Sequence, residues 1–245
     1  MEQNNLYDKE IWDSGYKNYD FFTAGDGDPV KQYILANIPP VSGTCFEVGC
    51  FPGRYLSVLG QKNWILNGVD QTEYLPSMEK WLKSLNYPTA NFINSEFERI
   101  DSSTQYDLVY SCGFIEHFTN WEEIFVDHLK LVNPGGRIII TTPNFTGLQG
   151  VLHLFLDNEN YFRHNVKSMN PSKWKRLLEQ NGFTVLDKSY FGKFNFWYGS
   201  QPRPYYKRFC LFRFMKLIPF LQKIIFFDSK QLSPFCGVAG VKNKG

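Results

Sequence analysis

Between residues 44 and 142, short and almost wholly apolar runs alternate with longer stretches whose apolar positions recur every three or four residues. The runs 44–49, 64–70, 90–94, 107–111 and 137–142 predict strands, and the stretches 54–62, 73–85 and 121–132 predict the helices between them. Such alternation builds a doubly wound α/β fold: a mostly parallel sheet with helices on both faces and its strand C-termini on one edge. The first 40 residues read as helical and amphipathic. Asp28 caps a helix that starts at Pro29 and carries Tyr33, Ile34 and Ile38 on its apolar face. After Thr142 the regularity weakens, and 143–170 reads as an insertion or lid over the strand edge. Helix returns over 171–181, capped by Asn170, opened by Pro171 and closed by Gly182. The runs 183–190 and 234–242 predict two last strands.

Composition narrows the class. The chain has 245 residues with 43% hydrophobic and 20% charged, enough for one large domain. Aromatic residues reach 18%, including 23 Phe, a surplus that must enter the core, line a pocket or face a partner. Five scattered cysteines without a C-x-x-C pair exclude a disulfide framework and a thiolate zinc site. No apolar run marks the first residues as a secretory leader, and none reaches the length of a membrane span, so a reducing cytoplasm is expected.

The net charge is only +2, yet it is uneven. Between Asp187 and Asp228 there is no acidic residue, while Lys188, Lys193, Arg203, Lys207, Arg208, Arg213, Lys216 and Lys223 lie there. On a helical wheel of 205–227, Arg208, Arg213, Lys216 and Lys223 share one broad face. Leu211, Phe214, Leu217, Ile218, Leu221, Ile224 and Ile225 fill the other, and Pro219 is expected to kink or split the helix. Two readings stay open. One is an element that rests on an anionic membrane surface or binds a phosphate-bearing acceptor; the other is an insertion whose apolar face completes the core or a dimer contact. Nucleic acid is not expected, since no recognition module is present.

Candidate chemistry begins at Glu47-Val48-Gly49-Cys50-Phe51-Pro52-Gly53, a strand end before a helix. Gly49 permits a sharp turn and close ligand approach, and Glu47 can accept from a ligand ammonium. A dinucleotide fingerprint needs glycine where Phe51 stands, which argues against a nicotinamide oxidoreductase. Asp70 ends the next strand at the spacing expected of a ribose-binding carboxylate. Glu96-Phe97 follows the third strand and suits an adenine, with a hydrogen bond and a stacking face. The fourth strand leads through Ser111-Cys112-Gly113-Phe114 to Glu116-His117, and Asn133-Pro134-Gly135-Gly136 turns into the fifth.

In that order and spacing, the segments resemble the class I S-adenosylmethionine-dependent methyltransferases over residues 40–190, especially the branch of ubiquinone-biosynthesis and sugar-cluster enzymes. The resemblance implies a seven-stranded sheet with an antiparallel last strand. It divides one domain into a helical extension (1–40), a cofactor-binding core (41–142) and substrate-side insertions (143–170 and 191–230). It implies S-adenosyl-L-methionine as cofactor, bound by Glu47, Gly49, Cys50, Gly53, Asp70, Gln71, Glu96, Phe97 and Ser111. Cys50-Phe51-Pro52 replaces the small residues usual in the loop, leaving backbone contacts to the methionine end. The Asn-Pro-Pro-Tyr motif of nucleic-acid and protein amide methyltransferases is missing, which argues against adenine or glutamine methylation; a hydroxyl acceptor is expected, with N- or C-methylation as the alternative.

For a hydroxyl, His117 and His164 are the candidate bases. His128 reads as structural or exposed, and His153 as packed. Some relatives hold a divalent metal with acidic residues and this Glu-His pair, but no complete ligand set is visible and no metal is expected. The acceptor is read as a small-molecule, sugar or lipid-linked metabolite. The competing reading from another class is a cofactor-binding adaptor that docks through its basic aromatic segment.

Overall fold

The computed structural model describes residues 6, 9–199, 204–225 and 227–244. Seven strands form one sheet in the order β3-β2-β1-β4-β5-β7-β6. They are β1 (Thr44–Val48), β2 (Ile65–Asp70), β3 (Thr89–Asn94), β4 (Tyr106–Cys112), β5 (Val132–Pro143), β6 (Phe183–Phe191) and β7 (Phe235–Lys242). Pairing is parallel from β3 through β5, whereas β7 runs antiparallel between β5 and β6. From β1 the chain winds outward to β3, then returns to place β4 on the other side of β1. The crevice at that switch point, outside the ends of β1 and β4, is where such sheets bind ligands.

Strict alternation along the central strands gives the sheet two dry faces. Phe46, Val48, Val109, Ile138 and Ile140 point to one side, where they meet Ile124 and Phe125 of α5 (Trp121–Lys130) and Trp174 and Leu178 of α8 (Pro171–Gln180). Cys45, Leu108, Tyr110 and Ile139 point to the other. They meet Ile34 of α2 (Pro29–Asn37), Leu59 of α3 (Arg54–Gly60) and Met78 and Leu82 of α4 (Leu75–Ser84). Burial on both faces explains why the strands read as nearly continuous apolar runs.

Several expectations about the flanks need correction. The first 40 residues are not helical throughout. Helix α1 (Lys9–Tyr16) ends near Asn18, which takes a left-handed φ of 62°, and an extended aromatic stretch leads on to α2. That stretch stays extended because Tyr19 and Phe21 lay their rings against Phe51, at 5.9 and 5.8 Å. Asp28 does cap α2, accepting from the N–H groups of Val30 and Lys31. The Asn133–Gly136 turn lies inside β5 as a bulge: Tyr106 pairs with Val132 and Leu108 already with Arg137.

The insertion forms α6 (Gly147–Leu156) and α7 (Asn158–Phe162), and the basic segment forms α9 (Tyr205–Ile224). Pro219 does not split α9. Its ring lies on the exposed side, so the carbonyl it leaves unpaired is near water. Arg203, one of the eight cations of that segment, lies outside the described residues.

Asp107 ties the opening ends of β1 and β4 to the bulge of β5. Its Oδ2 accepts from the Thr44 N–H and hydroxyl, and its Oδ1 from Asn133 Nδ2. Burial opposes ionisation, but these bonds outweigh it and hold the carboxyl below its ordinary value of 3.8. A depressed native pKa contributes stability above the unfolded value and loses it as pH falls through the native one. Asp107→Asn should therefore cost about 1–3 kcal/mol at neutral pH. In thermal melts the gap to the parent should close below about pH 4.

Candidate active site

The turn after β1 is built for close approach. Gly49 leaves the strand at φ 69°, and its N–H and that of Cys50 donate to the Val69 carbonyl. A Cβ on Gly49 would come within 2.6 Å of the Phe114 ring, so backbone and neighbour both demand glycine. Gly53, at φ 80°, precedes α3 and packs against Met78. Cys50 turns inward beside Gly68, and burial raises its thiol well above the ordinary value, so it stays protonated and faces no ligand. Phe51 is covered by Tyr16 at 4.4 Å and by Tyr19 and Phe21, so the N-terminal segment packs directly on the loop.

Two carboxyls flank this turn. Glu47 is buried and accepts from the Tyr110 hydroxyl at 3.0 Å across the β1–β4 pair. Desolvation raises it well above 4.5, and only the Tyr110 bond and the Arg54 charge oppose that rise. Asp70, at the end of β2, accepts from the N–H of Phe51 through Oδ2 and of Thr72 through Oδ1, both at 3.0 Å. Burial lifts it to about 6, against the backbone bonds from Phe51, Thr72 and Gln71. Gln71 is half-buried beside it, and Ser111 Oγ is fully buried at the end of β4 without a partner among the described residues.

The Glu96-Phe97 pair is not arranged as expected. Glu96 is exposed and paired with Arg99 at 2.9 Å, while Phe97 is a core ring against His128 and Phe114. The short 3-10 turn rotates the ring inward because the apolar pocket beside α5 takes it, which leaves no open stacking face.

A second group of chemical side chains gathers at the end of β4. A 3-10 turn, Ile115–His117, buries Glu116 and His117, and the insertion brings His164 to them. One ligand atom from each of the three lies within 4.8 Å of the others. The His117 and His164 rings are 4.8 Å apart, and Phe145 meets His164 edge-on at the same distance. The Asn165 N–H donates to the Glu116 carbonyl, and Asn165 Nδ2 donates to that of Phe118, which pins the insertion to the turn.

Burial governs the charge state of the group. It lifts Glu116 to about 8, and neither carboxylate oxygen has a partner among the described residues. It lowers His117 to about 3, helped by the neighbouring His164 and opposed by backbone bonds to Arg163 and Gly113. His164 is lowered as well, by desolvation first, with the Asn160 bond working against it. Its Nδ1 lies 2.6 Å from the Asn160 carbonyl and so carries the proton, leaving the Nε2 lone pair free.

A family model described as a methyltransferase domain matches residues 28–188, well over half the chain. The chain belongs to this methyltransferase family. Among curated proteins it is 34% identical to the mitochondrial ubiquinone biosynthesis O-methyltransferase of Dictyostelium discoideum, over 60% of this chain and 52% of that one. It is 23% identical to the corresponding enzyme of Coxiella burnetii, over 65% and 72%. The match thus spans about half the length of the first of these relatives and most of the second. Of solved structures, a methyltransferase from Bacillus halodurans C-125 superposes with a TM-score of 0.62 at 15% identity, covering 87% of this chain and 98% of that one. Magnesium protoporphyrin IX methyltransferase from Synechocystis PCC 6803, with bound SAH, gives 0.52 at 13% identity over 87% and 80%.

Polar groups around the turn keep hydrogen-bonding capacity that the chain's own bonds do not use. Beyond the backbone bonds from Phe51, Thr72 and Gln71, the Asp70 carboxylate keeps acceptor capacity that a ribose hydroxyl of S-adenosylmethionine would take. Glu47 is a desolvated carboxyl short of a cation, which the cofactor's ammonium would supply. Of the nine cofactor residues predicted, Glu47, Gly49, Gly53, Asp70, Gln71 and Ser111 lie at the ends of β1, β2 and β4 or in the turn after β1. Cys50 adds only backbone, and Glu96 and Phe97 face elsewhere. Sequence reasoning missed Phe114, whose ring over Gly49 left no periodic signal, and Tyr110, whose hydroxyl is lost inside an apolar strand.

The cluster is also a donor set that could take a divalent ion. Two imidazoles with one carboxylate suit zinc or a first-row transition metal, and the free Glu116 oxygens and His164 Nε2 fit that role. This set lay hidden in the sequence because His164 belongs to a separate segment.

Asp70→Asn should weaken calorimetric binding of S-adenosylmethionine by about tenfold to a hundredfold, the worth of charged hydrogen bonds lost at one residue. The parent protein should lose affinity as pH falls through about 6, where the Asp70 carboxyl protonates. In Asp70→Asn that dependence should disappear.

Proposed function

We propose that this methyltransferase moves the methyl of S-adenosylmethionine to a hydroxyl of a small, lipid-linked acceptor, with His164 taking the hydroxyl proton. The observation that carries this reading is the Glu116–His117–His164 cluster, set two residues beyond the Phe114 ring that covers the cofactor turn. The bound sulfonium supplies the electrophile, so the protein must align the acceptor oxygen, exclude water and accept a proton.

His164 is better suited to that last task than His117. Its Nδ1–H is anchored on the Asn160 carbonyl, its Nε2 is free, and it keeps partial exposure on the insertion side. His117, buried and lowered to about 3, remains a neutral ring that packs against His164 and holds its orientation. Glu116, lifted to about 8, is uncharged at neutral pH and has a proton to donate to the acceptor. The apolar rings of Phe145 and Trp197, with Phe114 and Phe118 nearby, supply the dry walls. The two curated relatives, named for O-methylation in ubiquinone biosynthesis, support a hydroxyl as the acceptor group.

A second reading uses the same three side chains as a metal clamp that polarises the hydroxyl. The three-donor geometry is what favours it.

The test is a screen of hydroxylated aromatic acceptors by mass spectrometry, reading one added methyl group. His164→Asn should lower kcat by about a hundredfold to ten-thousandfold. Its affinity for S-adenosylmethionine, read by calorimetry, should stay at the parent value. Transfer that proceeds at the parent rate in His164→Asn removes the base assignment. Exhaustive dialysis against a chelator should leave the rate unchanged, whereas loss restored by one divalent ion would move the cluster to the second reading.

A further inference from the structure

Most of the expected apolar face of α9 turns inward, with Phe214, Leu221 and Ile225 packed beside Leu211 and Ile218, while its basic face is not purely polar. Only Leu211 and Ile218 are buried, in a small cluster with Phe194 and Phe196 that Leu152 and Leu156 of α6 complete. The outward arc, where a solvated helix would be polar, holds Tyr205, Phe209, Phe212 and Phe220, each more than half exposed. Arg208, Arg213, Lys216 and Lys223 share that arc, interleaved with the rings, and none is ion-paired among the described residues. Arg213 lies over Phe209 at 5.4 Å and Lys216 over Phe212 at 4.3 Å. The basic face is therefore also aromatic, while most of the expected apolar face lies opposite it, packed inward. Leu217 and Ile224, expected to pack inward, are exposed on its margin.

The neighbouring α6 also exposes apolar side chains. Its inner side holds Gln149 and His153, while Leu148, Val151, Leu154 and Phe155 face outward without a charge among them. An apolar expanse on two touching helices is more than a monomer leaves to water without use.

We propose that this face of α9 and α6 docks the protein on an anionic lipid surface. Rings that sink into the headgroup–acyl boundary, with cations that stay at phosphate level, are the chemistry of an interfacial helix. Charge decides against a second copy of the chain. The arc carries cations and no acid, and a two-fold contact would set like charges against one another. It also decides against a neutral apolar groove as occupant, which would bury four cations unpaired. No described helix is long and apolar enough to cross a membrane, so the attachment is peripheral.

Docking has a consequence at the site. The helix that faces the lipid with Val151 and Phe155 covers the acceptor side with His153, which stacks on Phe145 at 4.0 Å, and Phe145 in turn touches His164. A lipid-anchored acceptor would therefore meet the cluster from the face that docks. That consequence rests on the proposed reaction, whereas docking itself does not.

The experiment is co-sedimentation of the full chain with phosphatidylcholine vesicles, with and without phosphatidylglycerol. Binding to the anionic vesicles alone, weakened by salt, is expected. Replacing Arg213 and Lys216 by Gln should weaken it about fivefold per charge, as for basic residues near an anionic surface. Phe209→Ser with Phe212→Ser should weaken it at least as much, and calorimetric binding of S-adenosylmethionine should be unchanged in both double variants, which also reports that they are folded. No binding to either vesicle, equal binding to neutral ones, or variants that bind as the parent would each overturn the proposal. A dimer in analytical ultracentrifugation, broken by the same Phe substitutions without vesicle binding, would overturn it in favour of self-association. Because the assay needs no acceptor, a failed acceptor screen leaves its result standing.

Discussion

Phe114 lies over Gly49, and no side chain larger than hydrogen fits between that ring and the left-handed turn after β1. This contact joins two things the topology only brings near each other. On one side is the cofactor turn, held to β2 through the Val69 carbonyl. On the other is the 3-10 turn that follows β4 and presents Glu116 and His117. The ring is fixed in turn by Phe97, Phe118 and His128, so the link runs through packed aromatics into α5. Close packing transmits position because such a core has few alternative arrangements. The expected stacking face at Phe97 is therefore spent on holding Phe114 in place.

Desolvation sets the electrostatics of the whole edge. Glu47, Asp70 and Glu116 are all lifted from their ordinary values by burial, while His117 and His164 are pushed down. Without a ligand, burial disfavours charge on each of these groups, although Asp70, at about 6, is still ionised at neutral pH. A cofactor that brings a sulfonium and an ammonium changes this, since a nearby cation favours the ionised carboxyl. Binding the methyl donor and ionising the edge are thus linked, and a ligand of opposite charge would lack that gain.

The sheet was legible because parallel strands buried on both faces produce apolar runs, and each lay within a few residues of its expected span. The cap at Asp28 and the turn at Gly49 were legible for the same local reason: each is decided by neighbours in sequence. What failed was decided by distant packing. Tyr19 and Phe21 are extended because Phe51 gives them a surface, and Phe97 turns inward because α5 leaves a pocket. His117 and His164 were both legible as candidates, but that they meet depends on Asn165, which binds the turn after β4. None of these is written in a local period. In α9 the period was right and the fold covers most of the expected apolar face; what the wheel did not show is that exposed rings interleave with the cations on the other face.

The insertion shows how these constraints combine. Asn144 closes the end of β5 by donating to the carbonyls of Lys230 and Ser233, and Gln149 of α6 reaches those of Asn195 and Leu232. Those bonds hold α6 to the segments on either side of α9, so the two helices form one cover over Phe194 and Phe196. Such a cover must satisfy its polar backbone inward, and here the amide side chains of Asn144 and Gln149 do this. With that demand met, the outer side chains of α6 and α9 have no part in the fold's internal bonding. Their aromatic and basic character must then answer to what lies outside the molecule, while His153 and Phe145 beneath them answer to what lies inside.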